Sequence, residues 1–369
     1  MLAITSLFIA ACASPPSGSV HSPATVSSPS SNPADSKAGD LRIRLDLLLA
    51  EQVMVVAKQA VAAANHTDEY AGYATLLTTN ATAIVDLVRS AYGNTSATQF
   101  EQTWRIQNEY LITYTIGVVT HNDAKSNGAM SGLVNGFVPQ FAQLITSLTQ
   151  IPADQVTLLE TQHLAQMQAM IDDEVAQSYA KFYPDLRTAY VKVTGLGERL
   201  ATRMAEQFPD KFPGDPSASA IDVRVSLNNL LQEHSYLATM TTDAVVAGRT
   251  AERSAAATSL GANAAELGKL FTDLVGAMGG TQVTELWGAR NADLIAYATS
   301  ADANAKKRLT DSFITGLDAV APTASDAARE QVTATIKVVD DQRANASKSV
   351  APDDRAAATG MQGIADRIF

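Results

Sequence analysis

The sequence predicts an all-α protein of two tandem helical bundles, each built from three helical hairpins, and three observations carry that reading. First, residues 100–119 (FEQTWRIQNEYLITYTIGVV) return later: Trp104, Asn108, Leu111, Ile112 and Tyr114 recur at a constant offset of 183 as Trp287, Asn291, Leu294, Ile295 and Tyr297. Second, a shorter period runs inside each copy. Glu51-Gln52, Gln107-Asn108 and Gln162-His163 follow one another at about 55 residues, as do the loop residues His66 and His121. That period is the length of one helical hairpin. Third, from residue 41 onward apolar positions recur at spacings of three and four, the stripe that an amphipathic helix buries.

Composition bounds the rest. The 369 residues suffice for two domains of ordinary size, and 46 % hydrophobic against 18 % charged residues is a globular balance. A net charge of −11, with basic residues scattered along the chain, argues against nucleic acid and against adsorption to an anionic bilayer by charge alone.

Taken in order, residues 2–11 (LAITSLFIAA) form an apolar run too short to span a bilayer. It closes in Ile9-Ala10-Ala11-Cys12, which resembles the lipobox of bacterial lipoprotein signal peptides, although no Lys or Arg precedes the apolar run. The resemblance implies a signal peptide over residues 1–12, with Cys12 lipidated. It also implies a cell-membrane location on the extracytoplasmic face. Cys12 is the single cysteine, so disulfides play no part. Residues 13–40, rich in Ser and Pro and without apolar periodicity, read as a disordered tether, about 30 Å long as a coil and about 90 Å at full extension.

The first bundle is expected over residues 41–208. Residues 41–64 carry Leu45, Leu48, Leu49, Gln52, Val55, Val56 and Gln59 on one face, and Asn65 to Asp68 supply a break. Residues 69–92 repeat the pattern with Leu76, Leu77, Asn80, Ile84, Leu87 and Val88, closed by Gly93 as a left-handed cap. Residues 95–120 hold the duplicated helix. In residues 125–149 Pro139 is expected to kink the helix. Residues 209–220, inside a Pro-rich stretch, read as a linker, and the second bundle occupies 221–369 with its third hairpin starting near Gln331. The period also admits a solenoid; the grouping by three and the Pro-rich break favour two bundles.

Leu230-Leu231-Gln232-Glu233-His234, the Trp-x-x-x-Asn pairs and Gln207 to Pro213 (QFPDKFP) together resemble a family of secreted helical tandem-repeat proteins of Gram-positive bacteria. The likeness covers nearly all of the chain after residue 40 and implies fold and location, since the family has no established activity. Some members carry the name of copper amine oxidase. Nothing here resembles that enzyme's Tyr-derived cofactor site or its copper histidines.

Glu160 and His163, at i and i+3 on a helix, are the one arrangement in the style of a di-iron carboxylate bundle. Such a site needs a second Glu-x-x-His and two further inward carboxylates. The repeat places Ile336 and Val339 there, and only Glu51 and Glu233 lie comparably. Glu233 and His234 are neighbours about 100 degrees apart on their helix, poorly placed to share an ion. His66 and His121 could hold a metal together if their loops adjoin. Trp104, Trp287 and the tyrosines Tyr179, Tyr183 and Tyr190 read as core. Candidate ligand or metal residues are therefore Glu51, Glu160, His163, His66 and His121, with no catalytic set and no resident cofactor. No phosphate loop, dinucleotide fingerprint or nucleophile elbow is present. The expectation is a non-enzymatic envelope lipoprotein that binds or scaffolds a protein partner and meets the membrane through its lipid. The alternative is a carrier of a metal, haem or small apolar molecule within the bulkier first bundle.

Overall fold

The computed structural model describes residues 35–368; the signal and lipidation site expected around Cys12 lie outside the described residues. The described chain is helical, with no strand. The first half runs α1 (Lys37–Ala64), α2 (Glu69–Tyr92), α3 (Asn94–Val119), α4 (Asp123–Gly132), α5 (Val138–Thr149), α6 (Ala153–Val175) and α7 (Tyr179–Gln207). The second half repeats it as α8 (Ser219–Val246), α9 (Thr250–Val275), α10 (Ala277–Ser300), α11 (Ala303–Lys307), α12 (Phe313–Val320), α13 (Ser325–Arg343) and α14 (Ser347–Ile368). Each half is three hairpins. The third hairpin of the second half begins at Ser325, six residues before the Gln331 expected from the sequence.

Local chemistry sets the boundaries. Ser36 caps α1 by accepting from the Gly39 amide, so the first helical turn takes in residues 37–40, which the sequence reading gave to the tether. Gly93 and Gly276 end α2 and α9 at φ of 84° and 88°, a conformation that side chains disfavour, and so turn the chain sharply into α3 and α10. His66 and His121 sit at the corresponding left-handed positions after α1 and α3, with φ of 55° and 52°. The break before α5 is a π-helical turn, Leu133–Phe137, and the second half has its own, Arg308–Ser312, before α12. The second has no proline beside it, so Pro139 is not what produces the bend at this place in the repeat.

The sequence predicts two separate bundles; in the structure the described residues of both halves form one compact unit with a main core running through both. Helix α1 packs on α2, α6, α7 and α8, and α8 on α9, α13, α14 and α1. The two first helices therefore lie side by side at the centre, and both are buried over most of their length. Helix α1 is long and apolar enough to cross a membrane, and 83 % of its most apolar stretch is buried in this fold, which makes it the core helix. The halves then exchange their last helices: α7 leans on α9, and α14 on α2. The 209–220 linker packs with them, its Pro213 carbonyl accepting from the Ala38 amide and its Pro216 carbonyl from Arg42 at 2.8 Å.

The exchange is fastened by two matching ion clusters. On α1, Glu51 is 3 % exposed; Asn80 Nδ2 donates to its Oε2 at 2.8 Å, and Arg355 of α14 donates to both oxygens at 3.1 Å. On α8, 182 positions later, Glu233 receives Asn263 Nδ2 at 2.7 Å and Arg187 of α7 at 2.9 and 3.0 Å. Each asparagine also donates to the carbonyl three residues before the glutamate, Leu48 or Leu230. Pro184 and Pro352 sit three residues before the two arginines, inside α7 and α14, completing the match. Each half thus holds its own carboxylate with its second helix and receives the neutralising guanidinium from the other half. A buried carboxylate deprived of its cation costs about 3–5 kcal/mol.

Arg355→Ala and Arg187→Ala should each destabilise the chain by that amount in urea titrations, whereas the charge-free pair Glu51→Leu with Arg355→Met should recover most of the loss. Because the clamps join the halves, single-tryptophan chains, Trp104→Phe and Trp287→Phe, should report one shared unfolding midpoint; two separate midpoints would mean that the halves fold independently.

Candidate functional site

Of the polar residues that recur every 55 positions, Gln52 and Gln107-Asn108 meet in the interior, and Glu160 joins them while Gln162 is exposed. Gln52 Nε2 on α1 donates to Asn108 Oδ1 at 2.8 Å and Gln107 Oε1 at 3.3 Å on α3, and Gln107 Nε2 donates to Glu160 Oε1 on α6 at 2.8 Å. Helical geometry puts Trp104 one turn before Gln107 and His163 one turn after Glu160, each on the same inward face of its helix. Phe100 and Phe141 pack against Trp104, with ring centroids 5.4 and 5.7 Å from it.

The second half builds the equivalent polar layer from different side chains. His234 takes the place of Gln52, with Nδ1 2.8 Å from Asn263 Oδ1 and Nε2 2.9 Å from Asn291 Oδ1, an amide whose oxygen and nitrogen are interchangeable by a flip. Burial and the neighbouring Arg290 hold its pKa down, to about 3, so the ring is neutral and has one N–H. Asn263 already uses its own N–H groups on Leu230 and Glu233, so Nδ1 is the donor, and Nε2 must accept from the Asn291 NH2 group. Arg290 stands in for Gln107 and is 1 % exposed; it donates to Gln331 at 3.1 Å and lies 5.2 Å from the centroid of Trp287. The buried positions of α6 and α13 correspond at an offset of 168, as the matching bonds of Tyr114 to Asp172 and Tyr297 to Asp340 fix, so Ala328 and Gln331 stand where Glu160 and His163 do, in place of the Ile336 and Val339 expected from the sequence. The Glu-x-x-His pair still has no copy.

That divergence leaves the first layer polar and incompletely paired. Glu160 Oε2, both ring nitrogens of His163, Trp104 Nε1, Gln52 Oε1 and Asn80 Oδ1 are buried without a hydrogen-bond partner. The loss at Asn80 follows from the exchange of a histidine for Gln52, because Asn263 Oδ1 is the atom that His234 satisfies. Burial pushes the Glu160 carboxyl up to about 8 and the His163 ring down to about 4, so both are neutral near pH 7.

The remaining candidates are placed otherwise. Glu51 is held by Asn80, Arg355 and the hydroxyl of Tyr236 at 3.0 Å, and lines a small cleft of about 230 Å³ with Asn228 and Gln232. His66 and His121 lie on exposed turns, where their left-handed backbone shapes the loop. Among the described residues no group of three or more His, Cys, Asp or Glu side chains is arranged to hold a metal ion.

Open space lies chiefly where the halves cross. A groove of about 980 Å³ runs between α2 and the start of α14, lined by Gly72, Thr75, Leu76, Thr79, Lys348 and Pro352. Its counterpart between α9 and α7, about 650 Å³, carries Tyr179, Lys181, Pro184, Ser254 and Thr258. Nothing in the spacing of the repeat points to either groove, because each is made by helices from different halves. Comparison of the chain with protein-family models, with curated proteins and with solved structures gives no match. The likeness to a secreted helical repeat family therefore stands on the residues that carry it.

The Glu160 carboxyl gives a pH signature. Between pH 4.5 and about 8 the folded chain keeps a proton there that the unfolded chain has released, so its contribution to stability falls as pH rises through that window. Glu160→Gln should flatten the fall and gain on the order of 1–3 kcal/mol at pH 8 relative to pH 5, read from urea midpoints at the two values. An unchanged pH slope would show that Glu160 is ionised in the fold.

Proposed function

We propose that this chain is a non-enzymatic cell-envelope lipoprotein, anchored through Cys12, that acts as a binding or scaffold module for a protein partner. The carrying observation is the inequality of two equivalent grooves. A duplicated fold offers the same surface twice, and the groove between α2 and α14 is the larger, about 980 Å³ against 650 Å³, with Arg355 and Asp68 among its lining residues. Both grooves carry small hydroxyl side chains and a lysine, Lys348 or Lys181, and the smaller one presents the ring of Tyr179. Divergence confined to one copy is what a binding face adds to a scaffold. The interior supports the same reading, since the carboxylates Glu51 and Glu233 are held by arginines of their own chain and are not free for chemistry. The larger groove also lies at the end of the molecule remote from residue 36, facing outward on a tethered body.

A photo-crosslinking side chain at Thr79, in the larger groove, should give a protein adduct of defined mass in the native envelope, while the same side chain at Thr258 in the smaller groove should give none. Equal yields at both positions, or none at either, would sink the partner reading.

The unpaired polar layer of the first half favours a second reading, a carrier of a metal or small molecule against Glu160, His163 and Trp104, because buried polar atoms without partners are costly unless something satisfies them. Native mass spectrometry with elemental analysis on protein purified from its own envelope separates the two. A stoichiometric adduct lost in His163→Ala or Glu160→Ala establishes the carrier, and an unadorned mass removes it.

A further inference from the structure

The α9–α10 turn is the most apolar exposed feature among the described residues. Leu274, Val275 and Met278 are 38, 58 and 76 % exposed, and residues 274–281 (LVGAMGGT) carry no charge. The equivalent α2–α3 turn of the first half is different in both respects. Its residues 91–98 (AYGNTSAT) are mostly small or hydroxylated, and the chain beyond α7 folds over them. Phe208 packs edge-on against Tyr92 at 5.1 Å, and Lys211 Nζ donates to the carbonyls of Ser90 and Ala91 at 3.1 and 2.9 Å. Where one copy is small, polar and covered, the other is large, apolar and bare.

The position of the bare turn identifies what would cover it. Helices α8 and α9 run antiparallel, with Asn263 level with Leu230. Twelve residues further along α9 and twelve back along α8, Val275 stands level with the start of α8. That start is beside the start of α1, as the ion pairs of Asp40 with Arg224 and Arg42 with Asp222 fix. Ser36 and the start of α1 therefore lie at the same end of the body as Leu274, Val275 and Met278. Read from its sequence as a flexible tether, the stretch from Cys12 to Ser36 would reach about 25–30 Å.

We propose that the α9–α10 turn is a membrane contact, its three apolar side chains entering the headgroup region of the bilayer that holds the anchor. The proposal rests on the lipidation of Cys12, because an anchor at this end keeps the turn within reach of lipid. The chain's net charge of −11 makes the contact apolar rather than electrostatic, in keeping with an uncharged turn. Two attachments, one acyl and one apolar, fix the orientation of the body and direct the opposite end, with the α2–α14 groove, away from the bilayer.

The test uses the full chain on vesicles of phosphatidylethanolamine and phosphatidylglycerol with brominated acyl chains, which quench indoles that enter the bilayer. Trp104 and Trp287 are each 2 % exposed, so Met278→Trp and, at the far end, His66→Trp each add one accessible indole. The variants are examined both as purified from the envelope and with the Cys12 thiol of the unprocessed chain coupled to a maleimide lipid. Quenching at position 278 should exceed that at 66 by at least about threefold in the coupled chain. Equal quenching at the two positions overturns the proposal, as does a position-278 signal that disappears on lowering the protein-to-lipid ratio, which would mean that a second copy covers the turn. Flotation of the envelope-purified chain reports the native anchor separately: if it does not float while the coupled chain is quenched at 278, the anchor fails and the membrane-seeking turn stands.

Discussion

The fold depends on how two buried carboxylates are neutralised. Glu51 and Glu233 sit on the central helices, where an unpaired charge would be prohibitive, and neither half supplies its own cation. Arg355 and Arg187 arrive from opposite halves at the ends of a reciprocal exchange, and α14 and α7 must therefore lie across α2 and α9. The grooves between those helices, the shared core and the parallel placement of α1 beside α8 all follow from that arrangement. A second contact of the same sense, Lys58 to Asp354 at 2.5 Å with Tyr73 and Thr239 around it, has no counterpart in the other copy, where Met240 and Leu186 are apolar.

With the frame held in this way, the inner polar layers were free to drift. In one, a neutral histidine bridges two asparagines and an arginine lies against Trp287; in the other, a glutamine, a carboxylic acid and an unpaired histidine occupy the same depth. Both leave buried polar atoms without partners, Arg290 Nε and Nη1 in the first, and Glu160 Oε2 with both His163 ring nitrogens in the second. The ends of the molecule diverge as well. At one end the copies differ in whether an interhelical turn is apolar, and at the other in the width of the groove.

Much of the architecture was legible because helical hairpins write themselves as periods: the offset of 183, the 55-residue spacing and the glycine at 93 all correspond to structure. The polar pairs at Gln52 and Gln107-Asn108 do meet, but the third partner is Glu160 and not the Gln162-His163 pair that the 55-residue spacing picks out, since Gln162 is exposed and His163 is unpaired. What the sequence concealed was pairing between the halves. Arg187 and Arg355 look like ordinary surface residues, each three positions after a proline, and nothing local says that their partners are 46 and 304 positions away. The alignment of α13 was misplaced for a related reason. The segment between the duplicated helix and the third hairpin is shorter in the second copy, so matching Gln331-Val332 to Gln155-Val156 set α13 out of register with α6.

The crossed arginines also say something about origin. A single half, standing alone, would bury a carboxylate and offer an arginine that fits only another molecule's carboxylate, which is the self-complementary logic of an isologous homodimer. The present chain has the geometry of such a dimer with its protomers joined through residues 209–220. In a symmetric dimer every substitution appears twice and must be tolerated at both sites. Joining the protomers lifts that constraint, so that His234 could face Gln52 and Arg290 could face Gln107 across the old axis, and one side could specialise while the other kept the frame.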